Sequence, residues 1–457
     1  VSRGDAAMPS HAPLRFPKDF VWGVSTSAYQ IEGALHEDGR GPSIWDRFCR
    51  EGGRIARGDT AEAACDHYHR YREDVALIAG LGVGAYRFSI GWSRLQPDGT
   101  GAPTRKGLEF YTRLVDELLA RGISPMPTLY HWDLPQALQD AGGWLNRDTA
   151  ERFAEFAQLV ARLLGDRVPR WITHNETFEH TVLGHALGTH APGLTLGLDS
   201  FTVAHHLLLS HGKAVQALRA NLPPLAQVGI AQSMAPARPA SDSSEDRSAA
   251  ELLHVLHERQ HCEPLLLGRY PDELAALGLD LSAIHAGDLA TVAQPLDFFG
   301  INYYNPNHVQ ATPPGSPVPL MEAEPPAQYE RTEMGWPIIP EGLTELLLDL
   351  RQRYGDKLPP IVITENGSAI PDAIDAGGHV DDVRRVDYLD RHLHALRAAM
   401  EGGVDVRGYF VWSLLDNFEW AEGYRPRFGL VHVDYATQQR TPKSSYHWYR
   451  DLIAAQR

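Results

Sequence analysis

Eight short runs rich in β-branched and aromatic residues recur along this chain, and longer amphipathic segments separate them. The runs are FVWGVS (20–25), AYRFSI (85–90), ISPMPTLYHW (123–132), RWITHN (170–175), QVGIAQSM (227–234), DFFGINYY (297–304), PIVITEN (360–366) and GYFVWSL (408–414). Mostly apolar runs of this length suit strands buried on both faces. The intervening segments carry helical periodicity. In DTAERFAEFAQLVARLLGD (148–166), Phe153, Phe156, Leu159, Val160, Leu163 and Leu164 share one face, and Asp148 stands where it could cap the start. DDVRRVDYLDRHLHALRAAMEGG (381–403) repeats the device and ends in a Gly pair suited to a helix stop. This alternation, with no break in composition over 457 residues, predicts an α/β fold: a single (β/α)8 TIM barrel with extended βα loops over residues 16–457, preceded by a flexible arm at 1–15. Residues 235–248 and 310–335 read as long loops on the barrel rim.

Charge and cysteine content narrow the partners. With 58 acidic against 42 basic residues the net charge is −16, and no basic tract offsets it, which argues against nucleic acid. Cys49, Cys65 and Cys262 form neither a disulfide framework nor a zinc-binding pattern, and are expected as buried free thiols. The first residues, VSRGDAAMPSHAPLRF, lack the apolar core of a signal peptide. No apolar run approaches the ~20 residues of a membrane span. The expectation is a soluble cytoplasmic protein with no membrane partner.

In a barrel of this kind, chemistry gathers where the strands end. Those ends hold Arg87, His131 and Trp132, Asn175 and Glu176, Asn302 and Tyr304, Glu365 and Asn366, and Trp412; the first strand leads into Gln30 and Glu32. Nothing among them has metal-ligand spacing, and no Gly-rich loop forms a phosphate cradle, so neither metal nor cofactor is expected. Glu176 and Glu365 each close a strand with an Asn alongside. Either one alone also suits a barrel-end salt bridge. Together, on different strands, they fit glycosidic bond cleavage, which uses one carboxyl as acid and one as nucleophile or base. The surrounding indole and amide groups fit a sugar, which offers C–H faces for stacking and hydroxyls for hydrogen bonding.

These residues lie in stretches with a family likeness. FVWGVSTSAYQIEGA (20–34), YRFSIGWSRLQP (86–97), LYHWDLPQAL (129–138), DFFGINYY (297–304), EMGWPIIPEGL (333–343), IVITENG (361–367) and WSLLDNFEWAEGY (412–424) occur in the order and spacing of glycoside hydrolase family 1. Over nearly its full length the chain resembles that family's β-glucosidases. The resemblance implies a retaining mechanism, with Glu365 as nucleophile and Glu176 as acid/base, the carboxyl groups about 5–5.5 Å apart. It implies that Arg87 and Tyr304 hold Glu365, favouring its carboxylate form, while Glu176 sits higher in pKa. It assigns Gln30, His131, Trp132, Asn175, Asn302, Trp412, Glu419, Trp420 and Phe428 to the sugar, with Asn175 at the 2-OH and Trp412 as the stacking floor. Phe178, Leu183, His190 and Trp336 match the aglycone side, and Glu179 lies among them. Phosphosugar relatives carry a Ser/Lys/Tyr clamp near Glu419–Trp420; the intact pair here implies a neutral sugar, glucose first, with galactose or fucose also accepted. The partner is therefore a small-molecule β-glycoside, and a homo-oligomer is compatible with the family.

The chain departs from the family at a few positions. Thr177 stands where Pro usually follows the acid/base Glu, and His174 and Ser368 are also less usual. Such changes are either neutral drift or a means of tuning Glu176. Glu179 occupies a commonly small or apolar position. It either points to solvent or acts on the leaving group, raising the pKa of Glu176 or receiving a cationic aglycone. A transglycosylase or natural-product glycoside-processing enzyme on the same scaffold would show the same carboxylate pair. A non-catalytic sugar-binding relative would typically have lost one Glu.

Overall fold

All eight expected runs form strands, which pair in parallel with their sequence neighbours until the eighth closes on the first. They are β1 (Val21–Ser25), β2 (Ala85–Ser89), β3 (Ser124–Tyr130), β4 (Arg170–Asn175), β5 (Gln227–Ser233), β6 (Phe298–Asn302), β7 (Ile361–Asn366) and β8 (Val406–Trp412). The structure, a computed structural model, describes residues 14–457 apart from 314 and 317. Helices between the strands pack around the barrel, as in Arg105–Ala120, Asp148–Leu164, Phe201–Asn221, Glu341–Tyr354 and Val383–Glu401. This is the (β/α)8 TIM barrel that the alternation predicts.

The barrel interior is filled rather than hollow. Ala85, Met126, Ile172, Ala231, Phe298, Val362 and Phe410 form one buried cluster inside it. Two glycines make room for its phenyl rings. A Cβ on Gly23 would lie 2.2 Å from the Phe410 ring, and one on Gly229 would lie 2.5 Å from the Phe298 ring. A larger apolar layer lies between strands and helices. Phe153, Phe156, Val160 and Leu164 are buried there, with Leu159 and Leu163 at its margin, and Trp92 stacks on Phe156 at 4.9 Å.

The structure revises several expectations. Asp148 is the first residue of its helix rather than its cap; its N–H is met by Asn146 Oδ1 at 3.0 Å. Residues 235–248 and 310–335 are not simply loops. Ala237–Pro239, Asn307–Ala311 and Leu320–Glu322 form a small three-stranded sheet. The polar run after 240 starts helix Ser244–His254, capped by Ser243 Oγ, which accepts from Asp246 N. Of the arm expected at 1–15, residues 1–13 lie outside the described part. Leu14 and Arg15 are tied to the C-terminus: Gln456 Nε2 donates to Leu14 O, and Arg15 Nη1 donates to Ala455 O. The three cysteines are buried and unpaired. Among the described residues no helix is long and apolar enough to cross a membrane.

Candidate active site

At the carboxyl ends of the strands the backbone becomes irregular. The β4–β5 register shifts between Ile172 and Asn175, and the β6–β7 register shifts between Ile363 and Glu365. Bulges of this kind re-aim the side chains that follow them. Glu176 is left-handed (φ +50°, ψ 67°), with its N–H donating to Ala231 O at 2.8 Å. Trp132 (φ +74°) and Trp420 (φ +51°) share this conformation. It costs a non-glycine residue ~1–2 kcal/mol, so the surrounding contacts must hold it in place.

The two carboxylates are buried but differently partnered. Glu365 accepts from Arg87 Nη1 at 2.6 Å through Oε1 and from the Tyr304 hydroxyl at 2.7 Å through Oε2. Arg87 is fixed in turn: its Nε donates to Thr128 Oγ1, Nη1 also to Thr364 O, and Nη2 to Asn175 Oδ1. Glu176 accepts from Asn302 Nδ2 at 2.7 Å. The orientation of that amide is set by Thr364 Oγ1, which donates to Asn302 Oδ1 at 2.6 Å. Burial raises both carboxyl pKa values. For Glu365, Arg87, Tyr304 and Asn302 oppose that rise. For Glu176, burial is reinforced by the charges of Glu365 and Glu179, and it lies well above the carboxylate range. Both carboxyls are thus raised; what separates them is contact, since Arg87 and the Tyr304 hydroxyl meet Glu365 while Glu176 has the Asn302 amide.

The other residues assigned to the sugar surround this pair. Asn175 Oδ1 also accepts from Asn302 Nδ2, and its own Nδ2 donates to His131 Nε2 at 3.2 Å. That contact leaves the His131 proton on Nδ1, which is buried without a partner. Burial and Arg87 depress the His131 pKa far enough to keep the ring neutral. The imidazole stacks on Trp412 and Trp420, each 5.9 Å away. Trp420 also lies 4.8 Å from Trp132, whose indole N–H donates to Asn175 O. Gln30 Nε2 donates to Asn417 Oδ1, Phe418 O and Glu419 Oε2. Burial and the charge of Glu365 push Glu419 up to about 8. Trp412 and Phe428 form an apolar wall with Tyr304 and Trp336 beside them.

On the expected aglycone side, Phe178 packs 4.2 Å from the His257 ring and His190 lies 5.7 Å from Trp132. Leu183 is half-buried nearby in the chain. Glu179 is a quarter exposed but tethered: it accepts from Ser233 Oγ at 3.0 Å and lies 4.0 Å from His257 Nε2. Two strand-end residues turn away from the ring. Glu32 is consumed by Arg94 (2.6 Å) and the Tyr111 hydroxyl (2.6 Å). Asn366 donates to Tyr303 O and Tyr388 OH and accepts from the Tyr409 hydroxyl.

Thr177 has acquired partners that a proline could not use. Its N–H and its hydroxyl both donate to Gln232 Oε1 at 3.0 Å, and its hydroxyl oxygen lies 2.8 Å from His261 Nδ1. His174 and His180 are buried on the same flank, against Ser210 and Tyr130. Ser368 is buried with an unpartnered hydroxyl, for which we find no structural reason. The sequence reading did not select Thr128, Gln232, Ser233, Asn417, His257 or His261. Gln232 and Ser233 close the QVGIAQSM run, so the strand-end rule could have found them. Of two groups with metal-competent donors among the described residues, Asp372/Asp416/His432 is already neutralised by Lys443, 2.6 Å from Asp372 and 2.7 Å from Asp416. The other is His254/Glu258/Asp349.

Known proteins share both the sequence and this architecture. The family model described as Glycosyl hydrolase family 1 matches residues 12–457. "Beta-glucosidase A" of Acetivibrio thermocellus is 48% identical over 450 residues, covering 96% of this chain and 98% of that protein. A "Bifunctional beta-D-glucosidase/beta-D-fucosidase" of Bifidobacterium breve is 45% identical over 464 residues, with 96% and 98% covered. The solved Family 1 β-glucosidase of Thermotoga maritima in complex with isofagomine lactam superposes with a TM-score of 0.92 at 41% identity, covering 97% of this chain and 99% of that one.

Proposed function

Because this chain belongs to glycosyl hydrolase family 1, we propose that it is a retaining β-glucosidase, removing terminal non-reducing β-D-glucosyl residues through a covalent glycosyl-enzyme intermediate. The observation that carries the assignment of roles is the asymmetry of the two buried carboxyl groups. Glu365, clamped by Arg87 and Tyr304, is the one held toward its anion. It attacks the anomeric carbon while Glu176, kept protonated by burial and by the neighbouring charge of Glu365, delivers its proton to the departing oxygen. Esterification removes the negative charge of Glu365, so the pKa of Glu176 falls. Glu176 then takes a proton from water as that water attacks the anomeric carbon, and Glu365 leaves as carboxylate. A carboxyl separation of about 5–5.5 Å belongs to this reading.

Neutral His131, Asn175, Gln30 and Glu419 bind the sugar hydroxyls, and Trp412 and Phe428 support the ring. The likeness to a glucosidase/fucosidase supports acceptance of fucosides beside glucosides. On the leaving-group side, Glu179 beside Phe178 favours a cationic aglycone. Replacing it by Ala removes a preference for amine-bearing over neutral aryl glucosides; an unchanged preference would end that assignment.

The roles are tested with nitrophenyl glycosides. Glu365→Ala is expected to lose several orders of magnitude in turnover. Glu176→Ala is expected to be rescued by azide, giving a β-glycosyl azide. An α-configured product would overturn retention.

A further inference from the structure

Packed against the small three-stranded sheet, helix Ser244–His254 runs directly into a π-helical turn, Val255–Arg259. Single π turns inside helices often mark places where side chains are positioned for a purpose. This one brings His254 and Glu258 to one side. His254 Nδ1 lies 3.6 Å from Glu258 Oε2. That is long for a hydrogen bond but close to the separation of two ligands on one tetrahedral ion, about 3.3–3.6 Å for metal bonds of 2.0–2.2 Å. Asp349, from helix Glu341–Tyr354, completes a set of three donor atoms lying within 4.8 Å of one another.

The environment of this group is unusual for a simple ion pair. Glu258 is 2% exposed, and beyond His254 no cationic partner of its carboxylate lies within 4.0 Å among the described residues. His254 Nε2 is buried and has no partner. The three side chains face a cavity of about 450 Å³, which Arg247, Glu345 and Arg353 also line. Arg353 pairs with Asp349 through two contacts, at 3.3 and 3.5 Å, which a cation would have to displace.

We propose that His254, Glu258 and Asp349 bind one borderline divalent cation, Zn²⁺ or a close relative such as Mn²⁺, at a site separate from Glu176 and Glu365. One imidazole nitrogen and two carboxylate oxygens suit such ions and leave a coordination position open. Two carboxylates and a neutral imidazole balance the charge of the ion. The site shares its π turn with His257, whose ring packs on Phe178, so it abuts the leaving-group side.

The test is calorimetric titration of the chelator-stripped full chain with Zn²⁺ alone, for wild type and for His254→Gln, Glu258→Gln and Asp349→Asn. His379→Gln, in the exposed His379–Asp375 pair, controls for surface histidines. Wild type and the control are expected to bind one Zn²⁺ per chain with the same affinity. Each ligand variant should weaken binding by at least ~100-fold, beyond what loss of an outer-shell contact costs. Circular dichroism of each variant identifies any that fails to fold, and the remaining two then decide the matter. Absence of a stoichiometric site in wild type, or equal affinity across the folded ligand variants, would overturn the proposal.

Discussion

Replacing Thr177, the residue after Glu176, by valine and by proline tests whether its departure from the family pattern has become structural. Gln260 Nε2 lies 3.4 Å from His261 Nε2 and can only donate there, so the His261 proton is on Nδ1. His261 then donates to Thr177 Oγ1, and the Thr177 hydroxyl donates to Gln232 Oε1, which also receives the Thr177 N–H. All of these groups are buried. Thr177→Val keeps shape and N–H but strands His261 Nδ1–H, at a cost of about 1–3 kcal/mol. Thr177→Pro removes the N–H as well and strands Gln232 Oε1, bringing the cost to about 2–6 kcal/mol on the same scale. For 457 residues, an unfolding entropy of about 2.1 cal/mol/K per residue makes 1 kcal/mol worth about 1 °C in Tm. Differential scanning fluorimetry should therefore show a fall of about 1–3 °C for valine and a larger one for proline. Proline is intrinsically favoured at the first position of a helix. A proline variant melting at or above wild type would show that this preference outweighs the lost hydrogen bonds and would refute the reasoning.

The remaining predictions concern rates and pH. Tyr304→Phe removes a hydrogen bond to a charged carboxylate, worth about 1.5–3 kcal/mol, so kcat/KM should fall roughly 10- to 150-fold. Because the lost bond favoured the anion, the acid limb of its pH profile should move to higher pH; an unmoved limb would separate Tyr304 from the ionisation of Glu365. Glu179→Gln removes a charge that raises Glu176, so the basic limb should move to lower pH, as measured by kcat/KM against pH. Glu419, lifted to about 8 when folded, holds a proton that the unfolded chain has already released between about pH 4.5 and 8. Its contribution to stability is thus present below the unfolded pKa and lost as pH rises toward 8. Glu419→Gln should gain in Tm relative to wild type between pH 5 and pH 8, and a constant difference would contradict this.

The barrel was legible because each strand is an apolar run ended by a polar or aromatic residue, and those endings fall at the same rim. Strand order makes β6 and β7 neighbours, but Glu365 and Asn302 stand opposite each other only because the register shifts after Ile363. The reading erred where a side chain answers to something distant in sequence. Glu32 follows a strand, yet Arg94, 62 residues on, draws it out of the ring. The partners of Thr177 lie 55 and 84 residues away and share no local pattern with it. The polar run 240–248 resembled a loop in composition, although Ser243 followed three residues later by Asp246 is a helix-start signal that spacing could have revealed. Glu179 could not be placed from its own helix, because Ser233 and His257, which hold it, come from other elements.

The division of labour between the carboxyl groups is tested most directly by trapping the intermediate. A 2-deoxy-2-fluoro-β-glucoside with a good leaving group should inactivate the enzyme as the ester accumulates, since the fluorine slows both steps and the good leaving group restores only the first. Peptide mapping by mass spectrometry should then find one fluoroglucosyl group on the peptide carrying Glu365, in wild type and in Glu176→Ala alike. A label on the peptide carrying Glu176, or inactivation without any covalent label, would contradict the account.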